Sequence, residues 1–281
     1  MNTLPRRFHQ VDVFSAVPLK GNPLAVVHAA QGLSDATMAA FARWTNLSET
    51  TFLLPPTLPG ADYRVRIFTP GGELPFAGHP TLGSCWAWLA GGGQPQKEGL
   101  VVQECAVGLV RVRRQGQRLA FAAPPLRRTG PLEAPLLQRI LAATCLGHDD
   151  VLHHQWVDNG PGWCALMLRS AARVLAVKVD ASLLGDVKLG LVGAHAPGSD
   201  CAFELRALYP APGGLIEDPV TGSLNASVAQ WLIGAGLAPA RYVAAQGTVL
   251  DRSGRVYVEQ AGTDIWVGGD IVACVEGMVS L

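Results

Sequence analysis

Charge is scarce in this chain, and what there is cancels. Asp, Glu, Lys and Arg make up 16% of the 281 residues, with Lys+Arg and Asp+Glu both at 22. No basic stripe is present, so neither a nucleic acid nor an anionic membrane surface is expected as a partner. Long hydrophobic runs are missing too: none approaches the ~18–20 residues needed to cross a bilayer. The arginines of MNTLPRRFHQVDVF are followed by no apolar stretch, so no secretory signal is expected, and the cytoplasm is the expected location. The six cysteines, Cys85, Cys105, Cys145, Cys164, Cys201 and Cys274, form no C-x-x-C pair and no metal-finger spacing. They are expected to be reduced thiols, most of them small core residues.

What is present is apolar substance: 49% of the residues are hydrophobic. That excludes a disordered chain and allows a core without staples. Short β-rich stretches dominate, as in RRFHQVDVFS, NPLAVVHA, ETTFLLPPT and DYRVRIFTP. LSDATMAAFARWTN reads as a helix capped by Ser34 or Asp35, with Met38, Phe41 and Ala42 on one face. HPTLGSCWAWLAGGG reads as an apolar helix ended by glycines.

The second half echoes the first. CAFELRALYP follows DYRVRIFTP in pattern, and TGSLNASVAQWLIGAG follows AGHPTLGSCWAWLAGGG, with Gly222 standing 144 residues after Gly78. GTVLDRSGRVYVEQ is read as the echo of the hairpin GLVRVRRQGQRLAF. These repeats imply an α+β fold of two similar halves, residues 1–127 and 128–281, joined at the Pro-rich APPLRRTGPLEAP. A helix apolar nearly all round must be buried. Each half is therefore expected to be a β-barrel-like sheet wrapped around a central helix, near 79–90 and 222–234, with the halves related by a pseudo-twofold axis. The last strand is a candidate to return to the first half.

A helix N-terminus offers unpaired N–H groups and partial positive charge, and so suits a carboxylate. The expected arrangement brings both helix mouths to one cleft. Gly78 and Gly222 would let backbone approach a ligand. Thr81, Thr221, Ser223 and Asn225 are short polar residues that either cap or bind; for Thr81 and Asn225 the two roles are evenly balanced. Three titratable groups are expected nearby: His79 at the first mouth, Asp218 before the second, and Glu49 where a helix passes into a strand. A carboxylate and an imidazole are what proton shuttling needs near neutral pH. Pro80 and Pro219 are expected to impose extended backbone on His79 and Asp218. Burial and a nearby Asp218 are expected to raise the pKa of Glu49. In GHDDVLHH, Asp150 and His154 would share a helix face; a polar segment is favoured there over a metal pair.

VDVFSAVPLKGNPLAVV, NLSETTFL, FTPGGELPFAGHPTLGS and EDPVTGS, with the late QG and VGG, resemble the PhzF-like family, relatives of diaminopimelate epimerase. The resemblance runs through nearly the whole chain, in order. It implies the two-halved fold just described, with the active site between the halves. It implies Glu49 as proton carrier, His79 and Asp218 as assisting groups, and Gly78, Gly222 and Ser223 as substrate-binding turns, with Thr81 and Thr221 beside them. It further implies isomerisation of an allylic amino acid, trans-2,3-dihydro-3-hydroxyanthranilate, without metal or organic cofactor, in a homodimer. The related epimerases use a cysteine at each helix mouth; the matching positions here are Ala77 and Thr221, which disfavours thiol-based proton transfer. A racemase or epimerase working without cysteine, and a non-catalytic binder of small carboxylates, are the alternatives.

Overall fold

The computed structural model describes residues 4–211 and 213–281. They form two compact units, one of residues 4–122 with 268–281 and one of residues 123–211 with 213–267.

The first unit runs β1 (Pro5–Val13), β2 (Asn22–Val27), α1 (Asp35–Thr45), β3 (Glu49–Leu54), β4 (Tyr63–Thr69), β5 (Gly72–Leu74), α2 (Gly78–Ala90), β6 (Leu100–Cys105), β7 (Gly108–Gln115) and β8 (Arg118–Ala122). The second runs α3 (Ala134–Thr144), β9 (Val151–Trp156), β10 (Trp163–Leu168), α4 (Ala171–Ala176), α5 (Ala181–Leu184), β11 (Lys188–Ala194), β12 (Phe203–Ala211), β13 (Gly214–Asp218), α6 (Gly222–Gly234), β14 (Arg241–Gln246), β15 (Gly254–Ala261) and β16 (Asp264–Gly269). The final strand, β17 (Ile271–Ser280), pairs antiparallel with β1 and belongs to the first unit.

The two units share a pairing scheme. In the first, β1–β2 is antiparallel, β2–β3 parallel, β3–β4 antiparallel, β4–β6 parallel and β6–β7 antiparallel. In the second, β9–β10, β10–β11, β11–β12, β12–β14 and β14–β15 repeat that series. Short β5 and β13 each hang antiparallel on the edge of β4 and β12. The helices α2 and α6 are each thirteen residues long and start on Gly78 and Gly222. Each has nine buried positions, which is why both sequences are apolar nearly all round.

In the first unit α2 packs against β1, β2, β3, β4, β6, β8 and β17. Gly83 makes that close approach: a Cβ there would stand 2.6 Å from the Leu24 side chain and 3.0 Å from that of Val13. In the second unit the glycine lies on the strand instead. A Cβ on Gly190 of β11 would stand 2.6 Å from Leu224 of α6. A satellite core of Met38, Phe41, Phe52 and Phe68 lies under α1, and Ile140, Leu166, Leu168 and Leu191 lie at the heart of the second unit.

Three local expectations are corrected. The third echo is displaced in the chain: Thr248–Leu250 is a 3-10 turn, entered at Gly247 with φ +92 and left at Asp251 with φ +56. The strand that answers β7 is β15, further on. His79 is not extended; it lies in the first turn of α2, where Pro80 is tolerated because those N–H groups have no helical partner in any case. His153 and His154 lie on β9, not on a helix. Asp150 pairs with Arg173, whose hydrogen bonds pull its pKa down to about 2, and His154 Nδ1 accepts from Leu132 N at 3.0 Å. Among the described residues no group of three or more His, Cys, Asp or Glu is placed to hold a metal ion. No described helix is long and apolar enough to cross a membrane.

Candidate active site

In the first unit, α1 ends at Asn46, whose left-handed backbone (φ +54) turns the chain out of the helix. Ser48 and Glu49 follow, and Glu49 opens β3. The parallel register with β2 sets Leu24 against Glu49, so Asn22, at the start of β2, stands near Ser48. The mouth of α2 supplies the last group. His79 Nε2 lies 3.5 Å from Glu49 Oε2, with the two side chains 6% and 15% exposed.

This is a low-dielectric setting for a carboxyl group. Glu49 Oε2 is buried and makes no hydrogen bond within the described residues. Burial drives the Glu49 pKa up to about 7, against a smaller opposing effect from a Ser48 hydrogen bond. A carboxyl group poised near neutrality can both take and return a proton at working pH. Behind His79, Asn22 Nδ2 lies 3.4 Å from Nδ1, and the Ser48 hydroxyl donates to Asn22 Oδ1 at 3.5 Å.

Thr81 is fully buried, and its hydroxyl donates to the Ala77 carbonyl at 2.9 Å while accepting from Gln103 Nε2 at 3.0 Å. Asn225, at the equivalent place in α6, donates to the Thr221 carbonyl at 2.9 Å and is also buried. Both side chains close their own helix mouths from inside. Gly78 is buried at the start of α2.

In the second unit the expected residues assemble around a residue to which no role had been assigned. Gln246, fully buried at the end of β14, accepts from Thr221 N at 3.0 Å and Asn225 Nδ2 at 2.8 Å. Its Nε2 donates to the Asp218 carbonyl at 3.0 Å and to Thr221 Oγ1 at 2.9 Å. Thr221 Oγ1 in turn donates to Asp218 Oδ2 at 2.5 Å. Gly222 is buried, and Ser223 is half-buried, its hydroxyl accepting from Trp163 Nε1 at 3.0 Å. The structure thus brings Glu49 and His79 together in one unit and Asp218, Thr221, Gly222 and Ser223 together in the other.

The helix mouths settle the place of the thiols. Ala77 and Thr221 are the N-caps of α2 and α6, and neither caps with its side chain. Cys85 is fully buried inside α2, and burial pushes its pKa well above the ordinary thiol range.

A family model described as phenazine biosynthesis-like protein (PhzC-PhzF) matches residues 11–277. The chain belongs to this family. It is 34% identical to antisense-enhancing sequence 1 of Schizosaccharomyces pombe, over 96% of this chain and 97% of that one. It is 32% identical to the trans-2,3-dihydro-3-hydroxyanthranilate isomerase of Pseudomonas aeruginosa, over 98% of this chain and 99% of that one. Among solved structures, a PhzF-family phenazine biosynthesis protein of Enterococcus faecalis matches with a TM-score of 0.81 at 24% identity, over 99% of this chain and 100% of that one. The fold is the α+β, diaminopimelate epimerase-like fold of the family. The chain is an enzyme of the isomerase class.

Proposed function

We propose that this enzyme moves a proton between two carbons of a small unsaturated carboxylate, with Glu49 as the single acid/base and with no cofactor taking part. The observation that carries this reading is the buried Glu49 carboxyl, with a pKa of about 7, facing His79 Nε2 at 3.5 Å. The P. aeruginosa relative is named for an allylic amino acid. An allylic amino or hydroxy acid of that size is the substrate class proposed here.

The ionised Glu49 removes a C–H proton from one end of a three-carbon allylic unit, the C–H electron pair becomes the new double bond, and the old double bond supplies the pair for a C–H bond at the far end. The proton returns from the Glu49 carboxyl to that end. Atoms and electrons balance within substrate and Glu49, and the proton stays on one face. His79 Nε2, 3.5 Å from Glu49 Oε2, is placed to donate to Glu49 or to the substrate as the proton moves. The backbone N–H groups of the first turn of α2, those of Gly78 and His79, suit the substrate carboxylate. Proton transfer between opposite faces normally uses two groups, and the two positions that carry thiols in related epimerases are Ala77 and Thr221.

The test is turnover in D2O of a panel of small allylic amino and hydroxy acids, including trans-2,3-dihydro-3-hydroxyanthranilate, by wild type and Glu49→Gln. Movement of the double bond is expected, with kcat/KM rising with pH through an acid limb near 7, where Glu49 ionises. Glu49→Gln is expected to lose on the order of 10²–10⁴-fold in rate, as for removal of a general acid/base. Full activity of Glu49→Gln, or deuterium arriving at an inverted stereocentre, would overturn the reading.

A further inference from the structure

Behind the Glu49–His79 pair lies a residue that never faces the reacting atoms in this reading. Asn22 is fully buried at the start of β2. Its backbone position is fixed from below: Gly21 N donates to Asp12 Oδ2 at 2.9 Å, and a Cβ on Gly21 would stand 2.3 Å from the Val13 carbonyl oxygen. In the structure its Oδ1 accepts from the Ser48 hydroxyl at 3.5 Å, and its amide nitrogen faces His79 Nδ1 at 3.4 Å. An amide nitrogen can only donate, so Nδ1 must accept, and a neutral imidazole that accepts at Nδ1 carries its proton on Nε2. Nε2 is the nitrogen that faces Glu49 Oε2 at 3.5 Å.

We propose that Asn22 is a positioning residue that fixes His79 as the Nε2–H tautomer, so that His79 always presents a donor, never a base, towards Glu49. This rests on the acid/base reading of Glu49 and deepens it. With His79 restricted to donating, proton abstraction is left to Glu49, and the return step has a single source. The Ser48 hydroxyl has two acceptors within reach, Asn22 Oδ1 and the Glu49 carboxyl.

The test reads the tautomer directly, on the full-length protein without substrate. In 15N-labelled enzyme at pH 8, with the His79 signals assigned by their loss in His79→Gln, Nδ1 is expected to resonate as an unprotonated, pyridine-like nitrogen and Nε2 as a protonated one. Asn22→Asp is close in shape but can only accept, so it is expected to move the proton to Nδ1. In parallel, kcat should fall by on the order of 10²-fold or more, with KM changed less than about threefold. A wild-type His79 protonated on Nδ1 overturns the proposal whatever the variants do. So does an Asn22→Asp enzyme that folds with wild-type nitrogen shifts or wild-type kcat. Glu49→Gln separates the two readings: if it keeps full turnover the acid/base role of Glu49 fails, while the nitrogen spectrum still judges Asn22.

Discussion

Replacing Glu49 by Gln should stabilise this protein, and only at pH values above the ordinary glutamate range. The folded-state pKa is about 7, against 4.5 for the free side chain, because burial penalises the charged form. Below pH 4.5 the carboxyl is protonated in both folded and unfolded chains, and folding is indifferent to it. Between 4.5 and 7 the folded state holds the proton that the unfolded state has released, so stability falls as pH rises. Above about 7 the penalty is complete. A difference of that size corresponds to about 3 kcal/mol, at roughly 1.4 kcal/mol for each pH unit. Glutamine keeps the shape and cannot ionise. The assay is urea unfolding of wild type and Glu49→Gln at pH 4 and pH 8. Packing changes and the new amide contribute equally at both, so the difference between the two stability changes isolates the ionisation. The variant should gain about 3 kcal/mol at pH 8 relative to its standing at pH 4, a midpoint shift on the order of 1 M urea for a chain of this size. A stability change independent of pH would refute the argument that Glu49 is held in a desolvated site. The gain would come with lost turnover, the pattern expected where a destabilised group is kept for chemistry.

Two further outcomes follow from packing and from the thiols. Arg206, 7% exposed, binds Glu217 through two hydrogen bonds of 3.0 and 2.8 Å and donates to the carbonyls of Val174 and Val177. Arg206→Leu should therefore cost about 3–5 kcal/mol, and Arg206→Leu with Glu217→Leu markedly less, because removing one partner strands a half-buried charge; equal losses in thermal denaturation would count against this. Iodoacetamide should modify exposed Cys145 in the native enzyme while sparing Cys85 and Cys164, both fully buried and the latter with its pKa pushed up to about 12. Turnover should survive, and inactivation that tracks alkylation of Cys85 would return a thiol to the mechanism.

The parts of the fold that were legible in the sequence are those that repeat or alternate. The two apolar helices announced themselves because both are buried at nine of thirteen positions, a pattern no surface helix shows. Strands with alternating residues, such as Tyr63–Thr69, were legible from their period. The third repeat lies further on than its pattern implies: GTVLDRSGRVYVEQ reads as a hairpin like GLVRVRRQGQRLAF, but its first arm is a 3-10 turn. The left-handed backbone at Gly247 and Asp251 that breaks it into a 3-10 turn has no hydrophobic signature. His79 reads as extended backbone because the residue before a proline usually is; the first turn of a helix relaxes that rule. At the site, His79 stands out at the mouth of an apolar helix, whereas Glu49, between Ser48 and Thr50, stands out only through the motif NLSETTFL. Asn22, Ser48 and Gln246 do not. Uncharged amides and hydroxyls are common in turns and strand ends, and their importance here comes from three-dimensional hydrogen bonding: Gln246 joins residues 218, 221 and 225 across the end of a different strand.

The repeat also bears on why one carboxyl group can suffice. The two units present the same frame, a buried helix whose N-cap carbonyl is held by a residue one turn later, Thr81 in one and Asn225 in the other. On that frame the two N-cap side chains, Ala77 and Thr221, can neither donate a thiol proton nor act as a thiolate. The polar groups around the two mouths have gone different ways. At the second, Asp218 is tied by Thr221, and Gln246 holds the loop through four hydrogen bonds, an arrangement that fixes geometry. At the first, Glu49 keeps a buried oxygen with no hydrogen bond and a pKa near neutrality. In the proposed mechanism that poised carboxyl group both takes and returns the proton, so it serves both steps of the transfer alone.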